Sequence, residues 1–194
     1  MRRACALIAV VLASGCLANE PRSYGLAFGS DAASPVVVTA VSVNGEPVGM
    51  MPQLIDALSD QVMPRANSGV MLLPYPPGDG RNLGLDVQWV ELLTRRAYAA
   101  RASVPVARLE SDGAGSVGIA PVFGTGGLMR VTSDPVPGPD GAQPIRDLLL
   151  VCGTRDPASD ADFTADPDAL PGLDIVLAAG RPAPGPSSCP AAGG

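Results

Sequence analysis

Leu83-Gly84-Leu85-Asp86-Val87-Gln88-Trp89 is the stretch from which the fold follows. Large apolar side chains occupy every second position, and Gly84, Asp86 and Gln88 fall between them. A period of two puts successive side chains on opposite faces of a strand, one buried and one wet. Tyr98, Ala100, Ala102, Val104 and Val106 repeat the pattern, with Arg101 and Ser103 turned outward, and Thr94-Arg95-Arg96 reads as the connection. Trp89 and Tyr98 are expected in the core, the alternative being an aromatic anchor at an interface.

Further strands lie on both sides. Val36–Val43 is β-branched and runs into Asn44-Gly45, a strong two-residue hairpin signal. Val70–Leu73 is a short apolar run ended by Pro74, with a Pro/Gly turn at 76–80. Val117, Ile119 and Phe123 form one arm of a further hairpin, 124–127 its glycine-rich turn and Leu128–Thr132 its return. After a Pro/Gly loop over 134–143, Leu148–Cys152 is the last firm strand, with Leu173–Ala178 a possible terminal one. Gln53–Met63 is the plausible helix: Leu54, Ile55, Leu58 and Val62 share a helical face, and Pro64 ends it. Strands at roughly 8–12-residue spacing with turn signals between them predict a mainly β, antiparallel β-sandwich-like single domain with at most one or two short helices. The domain is expected over 36–152. Residues 16–35 read as a tether with one short strand at Tyr24–Phe28, and 153–194 as a Pro/Gly/Asp-rich C-terminal segment.

The N-terminus reads differently. Arg2 and Arg3 are followed by an uncharged apolar run to Ser14, and Ala13-Ser14-Gly15 leads into Cys16. Charge, a short apolar core and a small-residue cleavage site are the order of a bacterial secretory signal. The apolar part is too short for the roughly 20 residues that cross a bilayer. The Ala13–Cys16 junction resembles a lipobox, the motif of bacterial lipoproteins. That resemblance implies removal of residues 1–15, lipid attachment (palmitate) at Cys16, and a lipid-anchored protein of the cell envelope. With no Asp beside Cys16, it implies the outer membrane, facing the periplasm. The alternatives are an ordinary cleaved signal or a retained anchor.

Removal of 1–15 leaves 11 Arg against 19 acidic residues, a net charge of −8. All 13 basic residues are Arg, which reads as codon bias of a GC-rich bacterium. The acidity argues against nucleic acid as a partner. Of four cysteines, Cys5 leaves with the signal and Cys16 takes the lipid. Cys152 and Cys189 then most simply form a disulfide in an oxidising compartment, two free thiols being the alternative.

Several motifs suggest chemistry and fail on it. Gly113-Ala114-Gly115-Ser116-Val117-Gly118 spells the dinucleotide fingerprint, which needs a helix after it to receive the pyrophosphate. A strand, Ile119–Phe123, follows. The same residues imitate a nucleophile elbow, but the chain has no His to act as base and no Lys as substitute. Asp156, Asp160, Asp162, Asp166 and Asp168 cluster densely enough for a hard cation, with Asp160, Asp162 and Asp166 the weak metal candidates. Counted from Asp160, however, Ala165 and Pro171 stand where an EF-type loop needs Gly and Glu. A solvated acidic loop is the preferred reading, an ion site or a patch for a basic partner the other. No catalytic residues and no cofactor are expected.

Three segments together resemble a group of small proteobacterial lipoproteins with domains of unknown function, often encoded beside type VI secretion toxin genes. They are Val38–Gly45, then Leu72-Leu73-Pro74 with Gly84–Trp89, and Tyr98–Pro105, spanning about 38–132. The resemblance implies an envelope-anchored, non-enzymatic β domain that binds another protein in the periplasm, with immunity to a secreted toxin as its sharpest form. The alternative is a structural or accessory outer-membrane lipoprotein without a dedicated ligand.

Overall fold

A computed structural model describes residues 21, 23–31, 34–49, 52–56, 71–75, 81–111, 115–133, 146–180, 187 and 189. Its strands, in chain order, are β1 (Ser23–Leu26), β2 (Gly29–Ser30), β3 (Val36–Val43), β4 (Glu46–Pro47), β5 (Gln53–Ile55), β6 (Met71–Pro74), β7 (Asn82–Glu91), β8 (Arg96–Pro105), β9 (Ser116–Phe123), β10 (Leu128–Ser133), β11 (Arg146–Cys152) and β12 (Thr154–Arg155). One short helix, α1 (Leu173–Ala178), and three 3-10 turns accompany them. The protein is a single mainly β domain built from two six-stranded sheets. The first has the order β11-β10-β9-β1-β6, with β2 also on β9, and the second the order β12-β8-β7-β3-β4, with β5 also on β3.

The β7–β8 hairpin organises the second sheet as the alternation predicts. Leu83, Leu85, Val87 and Trp89 face Tyr98, Ala100, Ala102 and Val104 in one buried cluster. The register pairs Asp86 with Arg101 and Gln88 with Ala99, and the turn occupies Leu92–Arg95. β3 carries one extra residue where its register against β7 shifts between Val38 and Ala40. Such a bulge reverses the side-chain parity. Val36 and Val38 point into the core before it, and Val41 and Val43 after it. Asn44 and Gly45 close the hairpin with φ of 49° and 83°. Left-handed angles at both positions make the tight turn that Asn-Gly favours. The Asn44 side chain accepts a hydrogen bond from the Gly84 N–H at 2.6 Å.

Four expectations are corrected. The stretch expected as a tether belongs to the domain: β1 lies between β9 and β6, parallel to β9. Tyr24, Leu26 and Phe28 are core residues, Phe28 alongside Phe123 at 6.5 Å. Its sheet is therefore mixed, with β2 also parallel to β9. The start of the expected helix, Gln53–Ile55, is a strand paired antiparallel to Val36–Val38. The rest of that helix, the turn at 76–80, Gly113 and Ala114, the loop at 134–143 and the N-terminal segment with Cys16 lie outside the described residues. Leu173–Ala178 is a helix, burying Leu173 and Val176 one turn apart. Finally, the domain expected to end at Cys152 continues beyond it. β12 adds to the second sheet, and Leu170, Leu173 and Val176 cover Val37 and Leu92 on the face of that sheet turned away from the main core.

Candidate functional site

The C-terminal cover leaves half of that outer face open. There a groove of about 710 Å³ runs between the Asn44-Gly45 turn and β12, floored by Ala40, Ser42, Asp86, Gln88, Ala99 and Arg101. These are the wet positions of the same alternating strands, brought side by side by the register of β3, β7 and β8. Small side chains make the floor shallow, and one ion pair sits in it. Arg101 donates from Nε to Asp86, whose other carboxylate oxygen accepts from the Ser42 hydroxyl at 3.4 Å. Arg101 is 83% exposed, so the pair is solvated and worth little to folding. The arrangement offers hydrogen bonds and one cation on a shallow, solvated floor.

The residues singled out by sequence fall elsewhere. Trp89 and Tyr98 stack within the core at 5.8 Å, and Phe123 of the first sheet meets Trp89 at 5.1 Å. Burial pushes the Tyr98 hydroxyl above its usual range. Gly127 and Gly153 lie against these rings: a Cβ on Gly127 would sit 2.5 Å from Tyr98, and one on Gly153 2.6 Å from Trp89. Ser116 and Gly118 lie in β9, so no helix follows the glycine motif.

The aspartates organise their own segment. Asp160 accepts from the Ala97 N–H and forms two hydrogen bonds with the Arg155 guanidinium, all at 2.7 Å. The Arg155 bonds, and then the Ala97 N–H, hold its carboxyl down to about 2. Asp162 accepts from the Thr164 hydroxyl and pairs with Arg95 at 3.1 Å; the Thr164 bond heads the causes that lower its pKa. Asp166 accepts from the Asp168 N–H, and Asp156 from the Ser159 hydroxyl. Among the described residues no three acidic or cysteine side chains converge on a point that could hold a metal. The geometry is that of a self-bonded acidic loop stapled to β8.

Cys152 and Cys189 lie at disulfide distance, with Cα atoms 5.5 Å apart. Next to them the Ser187 hydroxyl donates to the Thr125 carbonyl, fastening the chain to the β9–β10 turn. Two buried or half-buried acids were not anticipated. Glu91, 4% exposed, accepts from the buried Gly127 N–H and from the Thr94 hydroxyl, both at 2.8 Å, so it ties the β7–β8 turn to the β9–β10 turn. Asp31 pairs with Arg130. Burial raises its carboxyl pKa, while Arg130 pulls it the other way.

Comparison of the chain with protein-family models, curated proteins and solved structures finds no match.

Proposed function

We propose that this chain is a non-enzymatic lipoprotein of the bacterial envelope. It is anchored through Cys16, most simply in the outer membrane, and its β domain binds another protein in the periplasm. Immunity to a secreted toxin is the sharpest form of that reading. The observation that carries it is the N-terminal order of Arg2-Arg3, an uncharged apolar run and small residues entering Cys16. The domain contributes a surface suited to the role: the open half of the second sheet's outer face, with Gln88, Arg101 and Ser42 on a floor of alanines. A chain without His or Lys also lacks the usual bases of nucleophilic catalysis.

Metabolic labelling with a palmitate analogue, followed by membrane fractionation, tests the anchor. The wild-type chain is expected to carry label and sediment with outer membranes, and Cys16→Ser to lose both. An unlabelled wild-type chain would end the lipoprotein reading. For the partner, a photo-crosslinker at Gln88 is expected to trap one discrete periplasmic protein. Absence of any adduct, together with a deletion that weakens the envelope, would favour the structural role instead.

A further inference from the structure

We infer that Asn44-Gly45 is a site of spontaneous covalent modification, deamidation through a cyclic imide, and that the β3–β4 turn holds the site shut while the hairpin is folded.

The chemistry belongs to the pair itself. The Gly45 nitrogen attacks Asn44 Cγ, forming an N–Cγ bond and expelling the side-chain nitrogen as ammonia, which carries off the displaced proton. Water then opens the imide at either carbonyl. Cleavage of the new N–Cγ bond leaves aspartate at position 44. Cleavage at the former backbone carbonyl leaves isoaspartate, with the main chain rerouted through Cβ and Cγ. Asparagine is among the thermolabile residues, and a following glycine has no Cβ to shield the attacking nitrogen. Of the four asparagines, at 19, 44, 67 and 82, only Asn44 precedes a glycine. Gly45, Glu46 and Pro47 are exposed, so water reaches the turn freely.

The folded turn opposes the first step. Ring closure needs Asn44 Cβ and the Gly45 nitrogen on the same side of the Cα–C bond. Asn44 has φ of 49° and Gly45 of 83°, the mirror-image turn in which ψ of the first central residue is about +30°. That ψ sets the Gly45 nitrogen almost opposite Cβ, so attack awaits rotation of the peptide. The carboxamide is held as well. Asn44 Oδ1 accepts from the Gly84 N–H at 2.6 Å, and the Asn44 N–H donates to the Gly84 carbonyl at 2.8 Å. Gly84 leaves room for this approach; a Cβ there would meet Oδ1 at 3.2 Å. Beyond the turn, Glu46 pairs with Val43 and Pro47 with Ser42, and the Val48 N–H donates to the Val41 carbonyl at 2.9 Å. Rotation at Asn44 would part these pairs together.

Modification therefore belongs to the open hairpin, and its two products diverge on refolding. Aspartate keeps an acceptor oxygen for the Gly84 N–H and suits the same turn. Isoaspartate adds a backbone atom to a two-residue turn, so Glu46 and Val48 lose their register. Gly45 and Pro47 line the groove on the second sheet, which then loses a wall.

The test holds the full chain in mildly alkaline buffer, native or in urea, and digests it with trypsin. The peptide 23–65 contains Asn44 as its sole asparagine. Fragment masses place the exchange of NH2 for OH at that residue, and chromatography separates the isoaspartyl form. Conversion in the native chain is expected to be at least about fivefold slower than in urea, because it waits on the local opening that also exposes the Val48 amide to hydrogen exchange. A smaller ratio overturns the gate, and no conversion in urea overturns the site. After refolding, isoaspartyl chains should lose protection of the Val48 amide while Asn44→Asp retains it. Isoaspartyl chains that keep that protection overturn the loss of the wall.

Discussion

Replacing Glu91 by alanine removes a carboxylate that joins the two sheets. Its Oε1 accepts from the Gly127 N–H, which is buried, and its Oε2 from the Thr94 hydroxyl. A hydrogen bond to a charged group contributes about 1.5–3 kcal/mol, and an orphaned buried N–H costs about 1–3 kcal/mol. Removing the carboxylate also removes the cost of burying its charge, which offsets part of the loss. The expected net is about 3 kcal/mol, a fall in Tm of roughly 6–12 °C for a domain of this size. Glu91→Gln keeps an acceptor for Gly127, and the Thr94 hydroxyl can turn to accept from the new amide. It should cost only about 1 kcal/mol. The single tryptophan, Trp89, is fully buried two residues away, so its fluorescence follows urea unfolding of both variants. If the alanine and glutamine variants unfold within about 0.5 kcal/mol of each other, the buried N–H is not what Glu91 serves and the reasoning fails.

Two further outcomes are expected. The Cys152–Cys189 bridge closes 37 residues of sequence separation, so Cys152→Ser with Cys189→Ser should lower stability by about 3–4 kcal/mol in the same urea assay; a loss under 1 kcal/mol would show that contacts alone hold the C-terminal cover. Asp160 is depressed to about 2 when folded, against roughly 3.9 for a free aspartate. Its contribution is thus present above about pH 4 and fades as pH falls toward 2. Asp160→Asn should be less stable than the wild type at pH 7, with the gap closing between about pH 4 and 2; a gap independent of pH would exclude the ion pair as its source.

The alternating strands were legible because large side chains mark every second position, which no helix satisfies. Failures came where that contrast fades. In Ser23–Ser30 the strand shows, Tyr24, Leu26 and Phe28 alternating with Gly25 and Ala27, but the small polar residues around it imitate a tether although the large residues are core. Leu54 and Ile55 fit a helical face and a strand equally: in the strand Ile55 enters the main core and Leu54 packs on the opposite side. Leu173–Ala178 is an apolar run of six, too short for its period to distinguish strand from helix. The groove was illegible for a sharper reason. A connection at Thr94–Arg96 would set Asp86 opposite Val104, whereas the actual turn, with Arg95 at φ 59°, sets it opposite Arg101. A shift in one turn decides which charges meet. Glu91 carries no sequence signal at all, since its partner is a backbone N–H in another hairpin.

The place of β1 inside its sheet has a consequence for how the chain is made. Ser23 meets Ser116, 93 residues farther on, through paired hydroxyls at 2.6 Å. A strand made this early cannot be enclosed on both sides until β9 has followed. Pairing across so long a separation is slow, because the entropy of closing the loop is lost before the contact forms. Until then β6 can cover only one edge of the strand, and the edge that β9 will occupy stands open to foreign strands. Shielding of that open edge during synthesis would therefore favour the native pairing over association with other chains.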